Sequence, residues 1–497
     1  MPERYEGQEF TFFDPDGSEI PVRGWGNQFA AVFETLDGYT VVQDPDSRFF
    51  HYADLSPDGA ELVPSGNRAA DADPAVLGLA RHIRVNRESF RTEAMEAFDA
   101  AATTRWRQRL AERRARTRSA AQPGPEAAPP PQGTTGDYVG LCLLVQFPDV
   151  PGTIARDEVE AFCNRPGYAG FGNNGSAHDY FLEVSGGKLR YTNQVAAYYT
   201  ARHNRAHYTD PAVPFGTRAK QLIAEALDAL KASGFDFSRL SSDDDGFIYA
   251  LSVFYAGRRI NNWSQGLWPH SWALDTAYQA SPAKRFSDYQ ITDMGDKLTL
   301  RTFCHENGHM VCDFPDLYDY GSESSGIGHF CLMCAGASDT NPAHVSAYLK
   351  YRAGWASSVT PLAPGTTAAV TAGTNEFLIR RKNAAEYFIL ENRQRAGRDS
   401  ALPDAGLAIW HVDELGTNSD EQMTAAKHYE CSLEQADNRF DLEHGTNAGD
   451  AGDLFGSPAA RFGRATTPDS RWWNGGDSNL EITSISAPGP TITVTTA

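Results

Sequence analysis

The stretch His305-Glu306-Asn307-Gly308-His309 decides how this chain can fold around a functional centre. On a helix, residues four apart lie on one face, so both imidazoles can reach one metal ion at about 2.0–2.1 Å. Glu306 then lies beside the metal, where its carboxylate can take a proton from water. The preceding residues, Leu298 to Cys304, contain neither Gly nor Pro, which favours a continuous helix. The stretch therefore predicts a helix with two zinc ligands and a general base.

A second motif follows the second histidine after about 24 residues. The sequence Cys331-Leu332-Met333-Cys334-Ala335-Gly336 is similar to the methionine turn that metzincin proteases place beneath their zinc. The five-residue histidine pattern alone also occurs by chance in unrelated proteins. The two motifs together are much more specific than either one.

Further motifs extend the resemblance over most of the chain. With the two motifs above, they resemble the immune inhibitor A-like family of metzincin metalloproteases, and Thr35-Leu36-Asp37-Gly38-Tyr39-Thr40-Val41 resembles the prosegment of that family. The remaining motifs are Pro315-Asp316-Leu317-Tyr318-Asp319-Tyr320, Leu390-Glu391-Asn392-Arg393-Gln394 and Gly406-Leu407-Ala408-Ile409-Trp410-His411-Val412-Asp413-Glu414.

This resemblance implies a zinc-dependent endopeptidase that acts on proteins or peptides and is made as a latent zymogen. It implies one catalytic zinc ion held by His305, His309 and Asp316. Glu306 is implied as the general base for the attack of water on the peptide bond.

The third ligand departs from the usual metzincin pattern. That pattern has a Gly three residues after the second histidine and a ligand three residues later, but this chain has Cys312 and Pro315 there. Because proline cannot bind zinc, Asp316 is the first choice, at an acceptable oxygen distance of about 2.0–2.2 Å. Asp316 would also suit a helix N-cap or a turn. Three acidic residues remain as competitors: Asp313, Asp319 and Glu323.

A further hydrogen-bond donor is expected for the oxyanion of the transition state. Two pairs of tyrosines could supply it, and the sequence does not choose between them. Tyrosines at such spacing also serve often in packing. The candidates are Tyr318, Tyr320, Tyr348 and Tyr351.

Composition sets the broad class of the protein. The 497 residues predict two or three domains, and 41% hydrophobic residues indicate a globular chain. A formal net charge of -20 disfavours nucleic acid and anionic membranes as partners and is compatible with bound calcium. The sequence has no run of about 18 apolar residues, so it predicts no membrane span. We expect a monomer.

The sequence does not decide whether the protein is secreted. The first ten residues lack the basic start and the apolar stretch of a secretory signal. The family resemblance nevertheless implies secretion.

The order of patterns along the chain predicts an α+β fold in four parts. Residues 1–119 form a β/α prosegment, whose arginine-rich helix from about Ser89 to Arg118 leads into a Pro/Ala-rich linker, 120–136. A permanently attached accessory domain is the alternative for this part. Residues 137–358 form the metzincin-like catalytic domain, with a mixed sheet and the active-site helix. Residues 359–497 form a sandwich-like β domain, whose aspartates are the candidates for calcium.

Seven cysteines allow several arrangements. Because none precedes Cys142, a prosegment thiol cannot hold the zinc in a latent form. A structural zinc on four thiolates is disfavoured, because spacings of eight and three do not give two matching Cys-x-x-Cys pairs. Disulfides or buried thiols fit better. The four cysteines in question are Cys304, Cys312, Cys331 and Cys334.

Two other functions compete with the endopeptidase. A catalytically silent binding module could retain the fold, but His305, Glu306 and His309 are all intact. A zinc hydrolase of cell-wall peptides would use the same residues, and the sequence does not reject it.

Overall fold

The computed structural model describes residues 5–27, 29–71, 73–100, 103–121, 133–210, 212–259, 267–421 and 423–497. Helices and four β-sheets alternate along this part of the chain, so the predicted α+β class is confirmed. The predicted domain boundaries stay predictions, and most of the predicted linker, 122–132, lies outside the described residues.

The N-terminal residues form a six-stranded antiparallel meander. Its inward side chains pack with Trp268, which comes from the middle of the chain and lies 5.4 Å from the ring of Phe10. The core of this sheet is therefore completed by a distant residue. The strands are β1 Tyr5–Phe13, β2 Glu19–Gly26, β3 Ala31–Thr35, β4 Thr40–Gln43, β5 Phe50–Leu55 and β6 Leu62–Arg68.

Two helices follow this sheet where one helical stretch was predicted. Helix α1 spans Arg87–Ala100 and helix α2 spans Arg105–Ala120. The hydroxyl of Thr104 accepts a hydrogen bond from the backbone of Arg107, so Thr104 caps α2 and starts a separate helix. We call the described residues from 5 to 121 the N-terminal unit.

A five-stranded sheet forms the middle of the molecule, in the order β10-β11-β9-β7-β8. Four strands are parallel, and β10 lies antiparallel at one edge. Strand β7 lies between β9 and β8 and is almost continuously apolar, as its buried position requires. The strands are β7 Gly136–Gln146, β8 Leu189–Thr200, β9 Leu251–Tyr255, β10 His270–Ser281 and β11 Lys284–Asp293.

Helices pack on this sheet through apolar faces. In α6, buried residues recur at helical spacing from Ala219 to Leu227. In α4, Ser176 and Asp179 form a capping box that starts the helix. The helices of this part of the chain are α3 Arg156–Asn164, α4 Ala177–Val184, α5 Arg205–Tyr208, α6 Thr217–Ala232, α7 Leu300–Cys312 and α8 Ala347–Arg352, of which α8 packs on the first C-terminal sheet described below.

The C-terminal residues form two further sheets that share one apolar core. The first has the order β12-β14-β15-β16-β17, and the second has the order β13-β19-β18. The strands are β12 Ser358–Pro361, β13 Thr367–Thr371, β14 Glu376–Arg381, β15 Glu386–Arg393, β16 Gly406–Asp413, β17 Cys431–Leu433, β18 Ile482–Ile485 and β19 Thr491–Thr496. In the described part of the chain, no helix combines the length and apolar composition that a membrane crossing requires.

Candidate metal centre

Helix α7 places the two predicted histidine ligands side by side. The rings of His305 and His309 lie 4.8 Å apart, and their Nε2 atoms are separated by 3.1 Å. The helix ends at Cys312, and the next residue, Asp313, adopts a left-handed conformation with φ of 55° and turns the chain back toward the histidines. The i,i+4 spacing thus produces the predicted pair of imidazoles.

Asp316 reaches this pair from the turn after α7. Its Oδ1 atom lies 3.0 Å from Nε2 of His305 and 3.3 Å from Nε2 of His309. One ligand atom of each of the three residues lies within 4.8 Å of the others, and all three side chains are buried. The structure therefore brings together the three residues that the sequence proposed as metal ligands.

The hydrogen bonds of the two imidazoles fit a bound cation. Nδ1 of His305 lies 3.0 Å from the carbonyl oxygen of Leu332, and Nδ1 of His309 lies 2.5 Å from that of Phe314. Since a carbonyl only accepts, both Nδ1 atoms carry the proton. In the neutral rings, both Nε2 lone pairs then point toward the Asp316 carboxylate. Two nitrogens and one carboxylate oxygen are the donor set of a catalytic zinc site.

The electrostatics of the group also favour a positive charge between these atoms. Burial raises the pKa of the Asp316 carboxyl, but attraction to His309 and hydrogen bonds to both imidazoles outweigh burial and hold that pKa well below its usual range. Burial lowers the pKa of both histidines; Asp316 overcomes this effect and raises the pKa of His305, whereas burial dominates at His309, whose pKa is lowered. The three residues thus behave as one coupled group.

The predicted methionine turn packs directly against α7. A Cβ atom on Gly308 would lie 2.9 Å from Sδ of Met333, so a larger residue there would push the Met333 side chain away from the helix. The backbone amide of Leu317 donates to the carbonyl of Met333 at 2.8 Å. The turn therefore supports both the helix that carries the histidines and the loop that carries Asp316. Glu306 is buried on the same helix, next to His305.

The competing acidic residues have other partners. Asp313 forms an ion pair with Arg109 at 2.7 Å. Asp319 accepts backbone hydrogen bonds from the loop that follows it, including that of Gly321 at 3.0 Å. Glu323 lies 3.5 Å from the guanidinium of Arg91. The geometry thus favours Asp316 as the third ligand.

Among the four tyrosine candidates, Tyr320 contacts a proposed ligand. Its hydroxyl donates to Oδ2 of Asp316 at 2.7 Å, the oxygen opposite the one that faces the imidazoles. The hydroxyl of Tyr348 instead donates to Glu430, and that of Tyr351 accepts from Arg381. Tyr318 is fully buried in the same loop.

Residues of the N-terminal unit pack against this centre, and the sequence patterns did not reveal which residues make these contacts. The indole of Trp106 stacks on the ring of His309 at a centroid distance of 4.7 Å and an interplanar angle of 22°. Phe29 and Phe98 pack against the ring of Tyr320 at 5.3 Å and 5.0 Å. The one signal in the sequence was a single tryptophan within an arginine-rich helix.

A second acidic group lies in the C-terminal part of the chain. Carboxylate oxygens of Asp437, Asp450 and Asp453 lie within 4.8 Å of one another. These aspartates lie within 359–497, where the sequence analysis placed the candidates for calcium, and calcium binding there stays a prediction. The aspartate run from Asp243 to Asp245, in the middle of the chain, forms a turn.

All seven cysteines are buried free thiols. The sequence left disulfides and buried thiols open as alternatives, and the structure has buried thiols. Among the described residues, the groups with metal-binding spacing contain no cysteine.

No protein-family model and no curated protein matches this chain. The solved structures to which the chain is similar include the crystal structure of metalloproteinase-II from Bacteroides fragilis, with 12% sequence identity and a TM-score of 0.24. That match covers 71% of this chain and 85% of the other. A likeness with so low a TM-score carries no argument about the function.

Proposed function

We propose that this protein is a zinc-dependent endopeptidase of metzincin type that hydrolyses peptide bonds of proteins. The observation that carries the proposal is the convergence of the two imidazole Nε2 atoms of helix α7 with one oxygen of Asp316. Glu306 is on the same helix, next to His305. This donor set leaves a coordination position open, as catalytic zinc sites require. We also propose that it acts as a secreted monomer.

The residues of the chain have distinct roles in this proposal. Zinc bound by His305, His309 and Asp316 would acidify water and polarise the peptide carbonyl. Glu306 takes a proton from the attacking water and delivers it to the leaving amine. The carbonyls of Leu332 and Phe314 hold the two imidazoles in the tautomer that presents Nε2.

We propose further that the N-terminal unit keeps the enzyme latent. Trp106 covers one face of His309, and Phe29 and Phe98 pack against Tyr320, whose hydroxyl bonds to Asp316, so the unit occupies space beside the proposed ligands. A substrate carbonyl needs that space, so the uncut chain should have low activity. Cleavage within 122–132, followed by displacement of the unit, would open the site.

The test compares casein cleavage by the wild type and by Glu306→Ala, each before and after cutting at an engineered recognition sequence in 122–132. We expect activity in the cut wild type and a loss of at least about 1,000-fold in cut Glu306→Ala, because the general base and its proton transfers are removed. Glu160→Ala, on the exposed face of α3, is the control and should keep full activity.

Other outcomes would favour the competing functions. Equal activity of both cut proteins would remove Glu306 from the mechanism. Zinc binding without cleavage of casein or peptidoglycan would indicate a silent binding module. Cleavage of peptidoglycan stem peptides but not casein would indicate a cell-wall hydrolase. Metal analysis of the purified protein should give one zinc per chain, lost in His309→Ala.

A further inference from the structure

An acidic surface lies beside the proposed metal ligands, under the first turns of α2. We call it the acidic floor. Its carboxylates come from three separate parts of the middle of the chain, and two aromatic rings lie between them. The acidic floor consists of Asp243, Asp245, Asp288, Asp313, Phe247 and Tyr249.

The acidic floor already holds one guanidinium group, that of Arg105. Nε of Arg105 donates to Oδ2 of Asp243 at 2.7 Å, and its Nη2 donates to Asp245. The guanidinium carbon also lies 5.0 Å from the centre of the Phe247 ring, within cation–π distance. The other oxygen of Asp243 accepts the backbone amides of Asp245 and Phe247, which fixes the carboxylate.

A second guanidinium group, that of Arg109, is held one helical turn further along α2. Its Nε donates to Oδ1 of Asp313 at 2.9 Å, and its Nη2 donates to the carbonyl of Met310 at 2.9 Å. It also lies over the ring of Tyr249 at 4.9 Å. The acidic floor therefore binds two guanidinium groups with both charge and aromatic contacts, which suits arginine better than lysine.

Asp288 binds the backbone of the same segment. Its two oxygens accept the amides of Arg105 and Trp106 at 2.6 Å and 2.9 Å. Asp288 is 2% exposed, so α2 provides much of its hydrogen bonding in a buried place. Departure of α2 would remove these two bonds, and a buried carboxylate without donors is costly.

The acidic floor lies within reach of the reacting bond in the proposed enzyme. Trp106, which stacks on His309, is the neighbour of Arg105 and precedes Arg109 by three residues. At a rise of about 1.5 Å per residue, the backbone positions of Arg105 and Arg109 lie within roughly 5 Å of Trp106 along the helix axis. Trp106 is the residue that covers the metal ligand His309. The segment from 105 to 109 thus spans the metal centre and the acidic floor.

We propose that the acidic floor is a substrate subsite for arginine. When the N-terminal unit is displaced, the carboxylates of Asp243 and Asp313 lose their guanidinium partners, and an arginine side chain of a peptide substrate takes the place of Arg105 or Arg109. The same floor thus holds the latent form closed and selects the substrate. This inference rests on the proposed endopeptidase function.

The experiment uses the full chain with the substitution Trp106→Ala. The chain is folded intact and then cut at the engineered sequence in 122–132. The probes are fluorogenic peptides in which one arginine is moved along an otherwise constant sequence. Each peptide has a twin with citrulline, which keeps the shape and removes the charge. We expect at least one position where arginine gives about tenfold higher kcat/KM than citrulline.

Variants of the acidic floor show whether this preference comes from it. Asp243→Asn should reduce the ratio of arginine to citrulline to about one. Asp245→Asn should reduce the ratio two- to threefold, and this exposed side chain is a safe second variant if Asp243→Asn does not fold. Asp296→Asn is the matched control, because Asp296 is exposed and pairs with the exposed Arg258 elsewhere; its ratio should equal that of the wild type.

The outcomes separate this inference from the proposed function. Cleavage of both twins at equal rates, or a preference that survives Asp243→Asn and Asp245→Asn, would overturn the subsite while leaving the endopeptidase intact. If no peptide is cleaved, the proposed function fails. Fluorescence anisotropy with the same peptides then decides whether the floor still binds arginine more tightly than citrulline, and equal binding overturns it.

Discussion

The hydroxyl of Tyr320 holds the oxygen of Asp316 that faces away from the imidazoles. Such a bond fixes the carboxylate so that its other oxygen points at the metal. Tyr320→Phe keeps the ring and its packing but removes this hydrogen bond. We expect zinc affinity, measured by competition with a chelator, to fall by about 10- to 100-fold.

A matched control for this variant is Tyr208→Phe. The hydroxyl of Tyr208 donates to Glu225 at 2.8 Å, so the control also removes a buried bond from tyrosine to a carboxylate. Both variants should lose about 1–3 kcal/mol of stability. Only Tyr320→Phe should lose zinc affinity; equal affinities in the two variants would show that Tyr320 does not position Asp316.

At the scale of elements, helix α2 joins the N-terminal unit to the rest of the molecule. Trp106 and Leu110 are buried, and arginines on the same helix pair with carboxylates from distant parts of the chain. The sequence predicted that this arginine-rich helix leads into a linker. Because its arginines contact the rest of the molecule, we expect the cut in the linker, within 122–132.

Trp106→Ala should open the metal centre of the uncut chain. Without the stacking on His309, the N-terminal unit docks less tightly. The lost docking free energy is a part of the roughly 3–5 kcal/mol that truncation of a buried tryptophan to alanine costs. We expect casein cleavage by the uncut chain to rise at least tenfold and a chelator to remove zinc faster. Leu110→Ala, on the same helix, should change both rates less than threefold; equal effects would mean that α2 is merely loosened.

At the scale of the whole molecule, buried acids make stability depend on pH. Burial raises the pKa of Glu443 to about 8 and those of Asp319 and Asp453 to about 7. The folded chain therefore keeps protons that the unfolded chain releases near pH 4. The stabilisation from these groups is complete at lower pH and is lost as the pH rises toward 8.

Glu443→Gln isolates one of these groups. Because glutamine carries no charge, the variant should resemble the wild type at pH 5 and be more stable at pH 8, by on the order of 3 kcal/mol. Thermal unfolding at the two pH values measures this difference. Glu160→Gln on the surface is the control. If Glu443→Gln is more stable than the wild type by the same amount at both pH values, the raised pKa of Glu443 is contradicted.

Local patterns were sufficient for much of the fold and for the candidate ligands. The absence of Gly and Pro before His305 predicted a continuous helix, and the i,i+4 spacing predicted the two histidines on one face of α7. Asp316 could be proposed because it follows those histidines by a short turn. Each of these features depends on residues close together in sequence, where backbone geometry fixes the neighbours.

The sequence by itself thus determined which residues face a common point on α7. Only the tertiary structure decided what covers that point, since Trp106 and His309 are about 200 residues apart. It likewise decided that Trp268 completes the N-terminal core and that Arg105 meets Asp243. Periodicity states which side of an element is apolar or charged; the partner of that side follows from the shape and charge of surfaces that meet only when the whole chain has folded.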